Sequence, residues 1–309
     1  MAEVSTMAGR RASRRGAPAP ARLVPVSARA TVSILLVSAV GAASFLWPLF
    51  IAPGSTLDDV ATAPLILAAL LPLFLVVVLA EISRGGFDVK AIAMLGVLTA
   101  VGAVLRPLGA GTAGLETVFF LLILAGRVYG PGFGFVLGAT TLLGSALLTG
   151  GVGPWLPFQI MASAWVGLGA GLLPRARGKV EVALLVAYGV LAGVLYGITM
   201  NFSFWPFIVG LDNQLSYIAG APVLENLHRF VVYTVTTSLG WDIGRALTNG
   251  VAIVLIGPAV LSVLRRIARR AAFGQVSAAD RASPNHAAAG RGAPDRPAPD
   301  RTGDHDYRQ

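Results

Sequence analysis

The chain has 309 residues, 55% of them hydrophobic and only 13% charged, with a mean hydropathy of +0.73. Soluble domains carry about a quarter charged residues, so this composition points to a polytopic membrane protein. There is no cysteine, which excludes disulfides, thiolate metal sites and cysteine nucleophiles.

The formal net charge is +9 and the pI near 10.8. The basic residues flank apolar runs and fill polar tails, which is an orientation signal for a membrane chain; no nucleic-acid partner is expected. Residues 1–29 hold Arg10, Arg11, Arg14, Arg15, Arg22 and Arg29 among Ala, Ser and Pro. The apolar run that follows is span-length and lacks a small-residue cleavage site, so these residues are expected to be a basic cytoplasmic tail.

Runs of about 20 apolar residues can cross a hydrocarbon core as helices. Eight such spans are expected, at 31–51, 61–82, 90–108, 114–129, 132–149, 155–173, 181–205 and 241–264. They define four regions: the tail 1–29, an N-terminal transmembrane helix pair 30–83, a six-helix substrate-binding core 84–271 and a disordered cytoplasmic tail 272–309. The inner segments then contain Arg84, Lys90, Arg127, Arg175, Arg177, Lys179, Arg265, Arg266, Arg269 and Arg270, and the outer ones Asp58, Asp59, Asp212 and Glu225. This arrangement satisfies the positive-inside rule with both termini cytoplasmic. Residues 228–240 are apolar but too short to span and are expected to form an outer, partly re-entrant segment.

Polar and aromatic residues gather at the outer ends of the core helices. Arg106 ends the third span and Glu116 begins the fourth. Trp155 and Gln159 open the sixth, four apart on one helical face. Asn201 and Trp205 close the seventh. Trp241, Asp242, Arg245 and Asn249 open the eighth, and Asp242 to Arg245 is an ion-pair spacing. Ionisable groups inside a membrane are costly and usually face a cavity or a partner. Together these ten residues predict an outer, Trp-lined pocket, although any one of them also suits an interfacial anchor. Gly-rich stretches at 107–114 and 149–154 and the 210–227 loop would close that side.

Ala93, Gly96, Ala100 and Ala103 give the third span a stripe of small residues, which lets another helix approach closely. Gly189, Gly193 and Gly197 on the seventh span, and Gly167 and Gly171 on the sixth, are read as internal packing. No GxxxxGK[ST], HExxH or GxSxG motif occurs, so nucleotide hydrolysis and hydrolytic catalysis have no sequence support. No cofactor or metal is expected.

The unit from Lys90 to about Arg266 resembles the substrate-binding S components of energy-coupling factor (ECF) vitamin transporters. The resemblance is carried by six helices, the small-residue first core helix, and the stretches GLETVFFLLILAGRVYGPGFGFVLG and GGVGPWLPFQIMASAWVGLGAGLLP. It implies a vitamin bound near the outer face, and translocation with a transmembrane T protein and two ABC ATPases as the subunit topples. Among members of the family the chain is most similar to those assigned to cobalamin or related corrinoids. The family's Ala-x-x-x-Ala docking motif is matched by Ala93, Gly96 and Ala100 in size, without a strict alanine pair four apart. Two other classes compete. One is an integral-membrane enzyme acting on a lipid or isoprenoid, with Glu116 and Asp242 as acid groups, but these carboxylates stand isolated in the sequence. The other is a standalone proton-coupled carrier, which would need a relay through the membrane centre, whereas Glu81 and Arg127 sit at helix ends.

Overall fold

A computed structural model describes residues 28–50, 69, 72–73, 75–76, 79–80, 89–109, 114–208 and 214–282. Among them all regular structure is helical. Helix α1 is Ala28–Leu46, continued by a 3-10 turn at Trp47–Phe50. Then come α2 (Val89–Gly109), α3 (Phe119–Tyr129), α4 (Pro131–Thr149), α5 (Leu156–Leu172) and α6 (Gly178–Phe204), the last extended by a 3-10 turn at Trp205–Phe207. The remaining helices are α7 (Val223–Thr237), α8 (Leu239–Leu255) and α9 (Gly257–Ala282). Two compact units divide the chain, Met1–Ala268 and Arg269–Gln309, and the bundle belongs to the first.

Among the described residues four helices are long and apolar enough to cross a membrane: α1, α2, α4 and α6 with its 3-10 extension. Helices α8 and α9 make a fifth span if taken together, bent by 65°. Helices α3 and α5 are apolar but only 11 and 17 residues long. Nine of the 11 residues of α3 are buried, as expected of a helix that is apolar all round and lies inside a bundle. The protein is therefore an all-α, multi-pass membrane protein.

The span boundaries differ from the sequence expectation in four places. Most of the second span, 61–82, lies outside the described residues, as do 1–27 and 283–309. The span expected from 114 starts at Phe119, because Gly114 takes a positive φ of 78° and the next residues are not helical. Residues 223–240 were expected as the end of the 210–227 loop and the outer, partly re-entrant segment 228–240. They form α7, an amphipathic helix that buries Asn226, Phe230 and Tyr233 and is too short to span, and then the first turn of α8. The last span breaks at Ile256, where Gly257 and Pro258 interrupt the ladder; proline has no N–H to donate and clashes with the preceding turn. Helix α9 itself continues to Ala282, into the stretch expected to lack order.

Glycine sets the tightest contacts. A β-carbon on Gly134 or Gly126 would strike the Gly167 carbonyl, and one on Gly138 the Ser163 carbonyl. One on Gly171 would strike Pro131. Helices α4 and α5 thus meet backbone to backbone, the close approach that small residues permit in membranes. Helix α2 lies on α4, with Gly102 against Thr141 and a Thr99–Thr140 hydroxyl hydrogen bond of 2.7 Å. Helix α1 packs through Ala30, Ile34, Val37, Gly41 and Phe45, a stripe at helical spacing. Phe45 meets Phe158 edge-on at 5.0 Å, and the Trp165 indole donates to Ser38 Oγ at 3.0 Å, both contacts reaching α5.

Candidate functional site

Helix α8 rests on the glycine face of α6. At Gly189 a side chain would meet Ile253, at Gly193 it would meet Arg245 and the Ala246 backbone, and at Gly197 the Asp242 carboxylate. The three glycines therefore make a floor on which the polar side of α8 can lie. Asp242, Arg245 and Asn249 share that side by their i, i+3, i+7 spacing.

Arg245 is the centre of the arrangement. Its Nη1 donates to Asp242 Oδ1 at 2.7 Å and to the Gly193 carbonyl at 3.3 Å, and its Nε donates to Glu116 Oε2 at 2.7 Å. The guanidinium lies over the Tyr196 ring, 5.1 Å from the centroid, a cation–π geometry. The Tyr196 ring in turn packs on Phe119 at 4.6 Å. Side-chain exposure falls from 28% at Glu116 through 11% at Arg245 to 4% at Asp242, so the cluster is approached from the Glu116 side. With all three ionised it carries one net negative charge.

Glu116 is placed by the linker between α2 and α3. The Thr117 hydroxyl donates to the Leu105 carbonyl, and a side chain on Gly109 would meet the Leu115 carbonyl. Gly114 abuts the Trp241 carbonyl at its positive φ, where both the backbone conformation and the space demand glycine. Beside this linker Arg106 Nη2 donates to Gln159 Oε1 at 3.0 Å, joining α2 to α5. Tyr196 is buried within electrostatic reach of Glu116, Arg245 and Arg106.

Asn249 lies deeper, fully buried. Its Nδ2 makes one long hydrogen bond to the Gly189 carbonyl at 3.5 Å, while Oδ1 has no partner among the described residues. Buried polar atoms are nearly always paired; among the described residues the Thr141, Ser145 and Ser163 hydroxyls share the lack of a partner with Asn249 Oδ1.

The other predicted pocket residues do not converge on Arg245. Trp155 and Trp241 are 41% and 47% exposed, as interfacial anchors are. Trp205 is fully buried, its indole donating to the Leu215 carbonyl at 2.6 Å and its ring packed edge-on against Phe230 and Tyr217. It locks α7 and the preceding segment to the end of α6. Asn201 accepts from Ser238 Oγ at 3.0 Å and donates to Thr234 Oγ1 at 3.4 Å, tying α6 to the α7–α8 junction. Gly150, in one of the expected closing loops, is the left-handed C-cap of α4 with φ of 68°.

Sequence reasoning missed Tyr196. Its signal was its place one residue before Gly197, beside the glycine face of α6. The small-residue stripe of α2 also divides. Ala93, Gly96 and Ala100 face outward, and nothing lies within 4 Å of a β-carbon at Gly96. Ala103 instead turns inward and is buried, its β-carbon 3.7 Å from where a β-carbon on Gly144 of α4 would lie.

A second ion-pair cluster lies at the opposite end of α6, about 22 Å from Tyr196 at 1.5 Å per residue. Glu181 Oε1 accepts from Arg127 Nε at 2.8 Å and from Arg265 Nη2 at 2.6 Å. Arg127 also donates to the carbonyls of Leu173 and Pro174 at 3.0 and 2.9 Å, completing the end of α5.

Fold and composition define a multi-pass helical membrane protein with charge clusters at both ends of its longest span. The family model for the ECF transporter, substrate-specific component, matches residues 90–261, more than half of the chain. The chain belongs to that family, whose members are subunits of transporters. No curated protein and no solved structure matches it. The matched segment begins in α2 and ends in α9, so α1 lies outside it.

Proposed function

We propose that this chain is the substrate-capturing subunit of an ECF-type importer, taking up a vitamin at the outer face and moving it with a T protein and two ABC ATPases. The observation that carries this reading is the Arg245 cluster: a guanidinium held by Glu116 and Asp242 over Tyr196, partly exposed at one end of the bundle. Intramembrane charges arranged this way are the default mark of a substrate site. Arg106, Gln159 and the unpaired Asn249 Oδ1 add donors and an acceptor around it. The sequence resemblance favours cobalamin or a related corrinoid as the vitamin.

In this reading the basic segments face the cytoplasm, which puts the Arg245 end outside and the Glu181 end inside. The outward face of α2 formed by Ala93, Gly96 and Ala100 receives the T protein. Glu116 and Asp242 are not isolated as the sequence suggested, but they meet as counter-ions of one arginine. Each commits one carboxylate oxygen to that guanidinium, an arrangement that favours binding over catalysis.

The test is mass spectrometry of small molecules released from the full chain, purified alone after growth with a vitamin mixture. A stoichiometric vitamin lost in Arg245→Ala supports the reading. A vitamin retained undiminished by that variant removes the cluster from the site, and an empty protein from every medium argues against solitary capture.

A further inference from the structure

A groove of about 880 Å³ opens between α6 and the elbow of α8 and α9, at the end of α6 away from Arg245. Its volume falls within the roughly 300–1,000 Å³ typical of small-ligand sites. The 65° bend at Ile256 creates it, because α9 turns aside where a straight helix would have continued along α6. Ala183 and Ala187 keep the α6 wall shallow, while Val186, Val254 and Leu261 make the rest of the lining apolar.

The mouth of this apolar groove is cationic. Lys179 and Arg265 both line it. Glu181, the acidic residue there, is already shared between Arg127 and Arg265, which leaves positive charge in excess. Arg265 remains 40% exposed at its side chain despite that pair. The first turn of α6 adds backbone N–H groups, since Arg177 at its N-cap makes no side-chain capping bond.

We propose that this groove holds one anionic phospholipid, its phosphate at Lys179 and Arg265 and an acyl chain along Ala183, Ala187 and Val254. Apolar walls under a cationic rim match the two halves of such a lipid, and basic pockets between spans on the cytoplasmic side select anionic headgroups. The site rests on the same orientation as the transport reading but not on the identity of the vitamin. Lipid there fills the bend and bridges α6 to α9 beside the ion pair of Glu181 with Arg265.

The experiment uses the full chain, delipidated and then exposed to equal amounts of phosphatidylglycerol and phosphatidylcholine in mild detergent, with retained lipid counted by native mass spectrometry. About one phosphatidylglycerol per chain is expected, with phosphatidylcholine largely lost on washing. Lys179→Gln should lower phosphatidylglycerol retention about fivefold, and Ala187→Leu should displace it by filling the groove. Equal retention of the two lipids, or retention indifferent to both substitutions, overturns the proposal. Displacement of the lipid by millimolar inorganic phosphate alone overturns it too, since the site would then recognise a free anion. Vitamin content measured on the same samples stays unchanged in both variants, which separates this site from the Arg245 cluster.

Discussion

Gly197 and Asp242 share one volume: a β-carbon on the glycine would overlap the aspartate carboxylate. Asp242 can therefore reach Arg245 only because α6 offers no side chain there. Overpacking of this kind costs about 1–3 kcal/mol. Gly197→Ala should push Asp242 aside, lower the melting temperature in detergent and cut vitamin affinity about tenfold, equivalent to about 1.4 kcal/mol. Gly96→Ala, facing open space, should change neither. A binding titration alongside thermal unfolding checks both.

Arg245→Ala leaves Glu116 and the buried Asp242 without their shared counter-ion. Breaking a buried pair from one side costs about 3–5 kcal/mol, so this variant should be markedly unstable. The triple variant Glu116→Gln, Asp242→Asn, Arg245→Met removes the unpaired charge and should recover much of the melting temperature without recovering ligand. Recovery of ligand in the triple variant would show that the cluster only supports the fold. Arg245→Lys should fall between, since an ammonium cannot reproduce the forked contacts.

At the other end, Glu181→Gln should lower thermal stability while sparing vitamin affinity. The substitution removes the charge that holds Arg127 and Arg265 together. Its effect should exceed that of Glu225→Gln, whose pair with Arg229 is an exposed i, i+4 contact of the kind worth under about 1 kcal/mol. Equal melting temperatures for the two variants would count against a structural role for the Glu181 cluster.

The outward and inward residues of α2 should separate by experiment. Gly96→Leu and Ala100→Leu are expected to block co-purification with the T protein while leaving vitamin binding intact. Ala103→Leu should instead destabilise the isolated subunit, because Ala103 is buried against α4. Normal complex assembly in the Gly96→Leu, Ala100→Leu chain would remove this face from the interface.

Much of this architecture was legible in the sequence because membrane chains write it in simple terms. Apolar length marked the long spans, and the glycine intervals on α5 and α6 marked their packing faces. The Asp242–Arg245 pair followed from spacing within one helix. The third member, Glu116, is 129 positions from Arg245, a separation that no local periodicity encodes. Tyr196 was lost for a similar reason, since its role comes from Arg245 and Phe119 on other helices. The packing of Trp205 was not legible because a tryptophan at a span end suits an interface as well as a core, and its bond to the Leu215 carbonyl decides. The elbow at Gly257–Pro258 did carry a local signal, a Gly-Pro step that marks turns, masked by the hydropathy on either side.

The glycine contacts between α4 and α5 have a mechanical consequence. Backbones that touch at Gly134, Gly138, Gly167 and Gly171 leave no deformable side chains between them through which the pair could slide. These two helices form the keel of the subunit. Shape change during a transport cycle then falls to the parts joined by longer side chains: the arm with Arg245, the arm with Arg265, and the hinge of glycine and proline between them.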